Sequence, residues 1–219
     1  ENVGDAMTTC NDNVGIGLNA IGQATTQTDR VVAIGSGAMG GGISTADITG
    51  LVSIGYEALA GSLEATTDYT VAVGYQALQV LTSGANNTAV GFRAGQFATD
   101  SDNSLFVGYS AGQGITGVKL TGNANTAIGH ESGLLLQGTA THNTFLGRRS
   151  GDAVTTGTYN TIIGDESDPS SATGTNQSTL GYGVTGVADN SVTLGNSSVT
   201  NLYVAPGGAN QTIVFRDSA

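Results

Sequence analysis

The chain has 219 residues, and its 17 acidic against six basic side chains give a net charge of −11, the wrong sign for a nucleic-acid shaft or an anionic membrane surface. Its 35 glycines stand beside only two prolines, which is unlike a disordered linker, and the lack of a Gly-X-Y period rules out collagen. No run of about 18 apolar residues exists, so no membrane insertion is expected, and the single Cys10 leaves a free thiol rather than an intrachain disulfide.

Taken in order, the expected elements are short strands that each end in glycine. Gly17, Gly35, Gly55, Gly74, Gly91, Gly108, Gly129, Gly147, Gly164, Gly181 and Gly195 close eleven copies, at intervals of 14 to 21 residues. A unit this short cannot bury a core alone, so the copies must stack as a solenoid.

The residues just before these glycines are Ile16, Ile34, Ile54, Val73, Val90, Val107, Ile128, Leu146, Ile163, Leu180 and Leu194. All are aliphatic, which predicts an inward-facing core column. Two positions earlier stand Val14, Val32, Val52, Val71, Thr88, Leu105, Thr126, Thr144, Thr161, Ser178 and Val192 on the same strand face. The column between them, from Gly15, Ala33 and Ser53 to Thr179 and Thr193, points to the opposite face. It holds no charge in any copy, so both faces are expected to be covered, one by the chain's own core and one by another copy.

After the glycine, small residues recur at the third position, from Ala20 to Ala111 and then Ser132, Ser150 and Ser167. The fourth changes midway, from Ile21, Met39, Leu59 and Leu78 to Gly95, Gly112, Gly133 and Gly151. Polar stretches such as 40–50, 60–68 and 113–123 read as turns. Residues 56–63 come nearest to a helical stripe, without caps.

Several side chains invite a chemical reading. Gly35-Ser-Gly-Ala-Met-Gly40 spells a dinucleotide fingerprint, but Gly41 to Asp47 cannot open a helix. Gly108-Tyr-Ser-Ala-Gly112 spells a nucleophile elbow, yet the sister copy puts Arg93 where Ser110 stands. Asp100-Ser-Asp102 and Asp165-Glu-Ser-Asp168 lack the spacing of a calcium loop, so no metal or cofactor is expected, and no enzymatic activity. Glu131, Arg148, Arg149, Asp165 and Glu166 fall in the two columns after the glycine in successive copies. Rungs about 4.8 Å apart would make them an ion-pair ladder. Tyr56, Tyr75, Phe92, Tyr109 and Tyr182 share one column, for packing between rungs or, less simply, for stacking on a glycan. A threonine-rich face suggests ice binding, but no regular Thr-X-Thr row persists.

Asn125-Thr-Ala-Ile-Gly-His-Glu-Ser-Gly133, Asn190-Ser-Val-Thr-Leu-Gly195, Tyr69–Leu78 and Asn87–Gly95 resemble the head repeats of trimeric autotransporter adhesins and, more closely, the repeats of certain phage tail fibre shafts. The resemblance covers about residues 13–198. It implies a left-handed parallel β-roll with three chains around an axis. The intervals exceed the adhesin period of about 14 until the last, which lengthens the outward loops.

The reading is an all-β parallel β-roll or β-solenoid of about eleven short repeats, forming an intertwined or side-by-side homotrimer and a shaft on the order of 50 Å. Residues 1–198 form the repeat region and 199–219 a strand-rich closing segment, with Asn201–Val204 and Thr212–Phe215 as strands. That ending is similar to fibres whose C-terminal chaperone cuts itself off, and Glu1 suggests a piece of something longer. The expected role is a structural virion protein, a trimeric phage tail fibre or spike segment in host attachment. Its partners would be itself, other tail or baseplate proteins and a host surface receptor, glycan included. The alternative is a bacterial surface adhesin head that binds host glycan or protein.

Overall fold

The computed structural model describes residues 11–22, 28–43, 48–64 and 67–202. In chain order the strands are β1 (Val14–Ile16), β2 (Thr28–Asp29), β3 (Val32–Ile34), β4 (Ile48–Thr49), β5 (Val52–Ile54), β6 (Val71–Val73), β7 (Thr88–Val90), β8 (Leu105–Val107), β9 (Thr126–Ile128), β10 (Thr144–Leu146), β11 (Thr161–Ile163), β12 (Gln177–Leu180) and β13 (Ser191–Leu194). Eleven of them make one sheet in the order β1-β3-β5-β6-β7-β8-β9-β10-β11-β12-β13, while β2 and β4 pair separately. Every pairing is parallel and in column register, Val14 opposite Val32 and Thr144 opposite Thr161, for example. The chain is therefore an all-β parallel β-solenoid of about nine turns. No helix occurs among the described residues, and the helix-like stretch 56–63 holds a turn at 56–59 instead.

The repeat glycine is fixed by stacking. From Gly17 to Gly181 its φ lies between +126° and +140°. A Cβ on Gly17 would fall 2.6 Å from the Gly35 carbonyl, and on Gly35 2.5 Å from the Gly55 oxygen. An L side chain meets both a forbidden backbone and the next rung.

The faces are the reverse of the sequence expectation. Ala33, Ser53, Ala72, Ala89, Phe106, Ala127, Phe145, Ile162 and Thr179 are buried, so the middle column is the chain's own core. The aliphatic column expected there, Ile16, Ile34, Ile54, Val73, Val90, Val107, Ile128, Leu146, Ile163, Leu180 and Leu194, faces outward and is half-buried or exposed. The cause is the narrow cross-section of the turn. The chain bends back at once after the glycine, and the space behind the strand is filled by the third and fourth positions, Ala38 and Met39 or Ala58 and Leu59. Little volume remains for the strand's inward residue.

That competition explains the midway change. Where the fourth position carries Met39, Leu59 or Leu78, the strand contributes Ala33, Ser53 or Ala72. From β7 to β10 the fourth position is glycine, and β8 and β10 each supply a phenylalanine. A Cβ on Gly95 would lie 2.7 Å from the Phe106 ring, and one on Gly133 or Gly151 2.9 or 2.5 Å from the Phe145 ring. Gly112 is pressed against the Phe106 ring in the same way. Each Phe thus fills two rungs, and the intervening strands keep Ala89 and Ala127.

Where the motif opens on asparagine, that side chain helps close the turn. Asn143 is fully buried. Its Nδ2 donates to Gly157 O at 2.8 Å, and its Oδ1 accepts from Asn160 N at 3.0 Å. Asn125 and Asn160 repeat the pattern through Ala140 O and Gly174 O. Val199–Leu202, the described start of the closing segment, contains no strand; Tyr203–Ala219 and Cys10 lie outside the described residues.

Candidate functional site

The outer face of the long sheet is an extended feature open to a partner. Each strand presents two outward side chains, and over eleven strands neither outward column contains a charge. From β1 to β6 both are aliphatic, Val14 and Ile16 through Val71 and Val73. From β7 to β12 the first is mostly Thr or Ser and the second stays aliphatic, Thr88 and Val90 through Ser178 and Leu180. Ile16 is 57% exposed and Leu180 53%, too apolar for a surface that only meets water.

Beside this face runs an aromatic stack. Tyr56, Tyr75, Phe92, Tyr109 and His130 lie ring on ring, with centroids 5.1, 5.1, 5.0 and 4.9 Å apart and planes within 18° of parallel. Sequence alone placed the first four together with Tyr182; His130 extends the stack because it occupies the same column, and Arg148 and Asp165 in that column separate Tyr182 from it. The interior rings have both faces occupied by one another, so the row cannot offer those faces to a sugar. A second pair, His142 and Tyr159, stacks at 4.9 Å on another edge.

The turn after the glycine takes left-handed backbone at its second residue, with φ near +55° for Gln76, Arg93, Glu131 and Arg149. Their side chains bond along the axis. Glu57 Oε2 accepts from Gln76 Nε2 at 2.9 Å and from Gln79 Nε2 at 2.7 Å. Gln96 donates to Gln79 and Gln113 to Gln96, both at 2.8 Å. The Gln76 bond, helped by one from Tyr56, holds the Glu57 carboxyl below its ordinary pKa, and the bond to Glu57 raises the Tyr56 phenol.

Further along the axis the ionic residues do meet. Arg148 Nε lies 3.0 Å from Asp165 Oδ1 and its NH2 2.8 Å from Glu166 Oε1. Arg149 Nε lies 3.8 Å from Glu131 and 2.7 Å from Asp152 Oδ2. Asp152 was not part of the expected ladder; it follows Arg149 by three residues, where a turn returns it to the guanidinium. Glu166 and then Asp165 raise the Arg148 pKa, and Asp152 raises that of Arg149. Behind Asp152 sits Asp168, pushed up to about 6 by burial first and by the Asp152 carboxylate, against the Ala153 amide and Arg149.

The motif spellings have rung-stacking roles. Residues 35–41 form a turn, and Ser110 is buried, with its amide on Phe92 O at 2.8 Å. Asp100 Oδ1 accepts from Thr82 and Ser83, and Asp102 Oδ1 from Ala85 N at 2.7 Å. Among the described residues no three His, Cys, Asp or Glu side chains converge as metal ligands. A scan of the chain against protein-family models finds no match, and no curated protein matches it either.

Proposed function

We propose that the chain is a structural segment of a trimeric phage tail fibre or spike, a shaft that carries a host-attachment surface and performs no catalysis. The observation behind this reading is the uncharged outer face of the long sheet, eleven strands tall with an unbroken aliphatic column. A free-standing solenoid keeps such a face polar, and three copies packed face to face would remove it from water. At about 25 cal/mol per Å² of apolar surface, a face this long supports a permanent assembly. The sequence resemblance supplies the number three and the virion setting. The adhesin-head alternative draws on the long turns, above all the one between Gly108 and Gly129, while the self-occupied aromatic stack argues against glycan docking on those rings.

The test is the solution mass by light scattering after size exclusion. A trimer of 21.7 kDa chains gives about 65 kDa, and Ile54→Asp with Val73→Asp lowers it to one chain while β circular dichroism persists. A folded monomer of wild-type chain overturns the reading. Binding to a glycan array by the intact trimer moves the role from shaft to head.

A further inference from the structure

Between Gly108 and Gly129 the interval stretches to 21 residues, and the extra residues leave the solenoid as a flap. Both ends are pinned to neighbouring turns: Gly114 N donates to Leu134 O at 2.9 Å and Leu120 N to Phe97 O at 3.2 Å. Between them Val118 N donates to Ile115 O at 3.0 Å in an antiparallel bridge, within a fold whose ladders are parallel. Gly117 turns the tip at φ +79°, with nothing within 4 Å of a Cβ placed on it.

The flap faces Val80 and Phe97, which two earlier copies place six residues after their glycines. The next copy has Gly114 at that position, so no side chain continues the column over Phe97. The result is a pocket of about 350 Å³ lined by Val80, Phe97, Thr99, Thr116, Val118 and Lys119. Its walls are mostly carbon, and the Thr99 hydroxyl is committed to Leu120 O at 3.3 Å. Lys119 is exposed and is the one lysine in a chain of net charge −11. Among the described residues it makes no ion pair.

We propose that this pocket binds a small amphipathic anion: an acyl or aromatic body against Val80, Phe97 and Val118, with one carboxylate or sulfonate at Lys119. The volume falls in the range of small-molecule sites, and Lys119, the one cation among its lining residues, sets the sign of the ligand. None of the lining residues belongs to the long sheet, so the site is independent of how the outer face is covered.

The probe is 8-anilino-1-naphthalenesulfonate, titrated onto the intact chain by fluorescence, with uncharged N-phenyl-1-naphthylamine in parallel and decanoate as competitor. The expected result is one saturable site per chain that decanoate empties. Lys119→Gln weakens the sulfonate about fivefold and leaves the neutral dye unchanged, Lys119→Arg restores it, and Val118→Asp removes both dyes while circular dichroism stays native. No saturable binding, or binding untouched by Val118→Asp, overturns the proposal. So does loss of the dye in the Ile54→Asp and Val73→Asp variant, since that places it on the sheet face.

Discussion

The repeat glycine illustrates how a single residue limits the fold. Gly74 combines φ of +140° with a Cβ position that runs into the carbonyl of Gly91 in the next copy, so Gly74→Ala is expected to cost about 3 kcal/mol or more, read as a fall in thermal midpoint. The second residue after it also has left-handed backbone, yet takes Gln, Arg or Glu, because its side chain points along the surface and finds partners in adjacent rungs. Asp168 is a second case. Its folded pKa of about 6 lies above the ordinary 3.8, so the folded state holds the proton more tightly than the unfolded chain. That contribution is fully present below about pH 4 and is lost as pH rises through 6. Asp168→Asn should therefore flatten the fall in thermal midpoint between pH 4 and 7 relative to wild type. Identical pH profiles for the two proteins would show that the carboxyl is not held this way.

The turn is the element here, and its interior obeys a volume rule between two columns that never adjoin in sequence. Ala72 pairs with Leu78, while Phe106 pairs with Gly112 and reaches Gly95 of the preceding rung. Phe106→Ala opens a cavity and is expected to cost about 3–5 kcal/mol. Adding Gly112→Leu rebuilds the Ala72 and Leu78 combination and should recover more than half of that loss in a denaturant melt, whereas Gly112→Leu alone overfills the rung. The buried asparagines add a polar spine to the same turns. Asn13, Asn87, Asn125, Asn143 and Asn160 share one column four residues before the glycine, a recurrence that signals a role, but an amide there reads equally as a turn residue. Only the closed turn shows the carbonyls of Ala140, Gly157 and Gly174 aimed at it.

For the whole molecule, each copy touches its neighbours along one axis, so stability accumulates rung by rung and no single surface contact dominates. The Arg148 and Arg149 side chains are about half exposed; replacing both by Ala should cost about 0–1 kcal/mol per pair, less in high salt, by thermal melt. The repeat, the parallel stacking and the set of residues in each column were readable from sequence because a fixed phrase ending in glycine permits little else. Which side of the strand is the core was not. Period-2 alternation divides a strand into two faces, and when neither carries charge, size alone suggests that the aliphatic column lies inside. Closure of the turn decided otherwise: Leu59, Leu78 and the phenylalanine rings occupy the narrow interior, small residues fit beside them, and the Ile, Val and Leu column is left facing out.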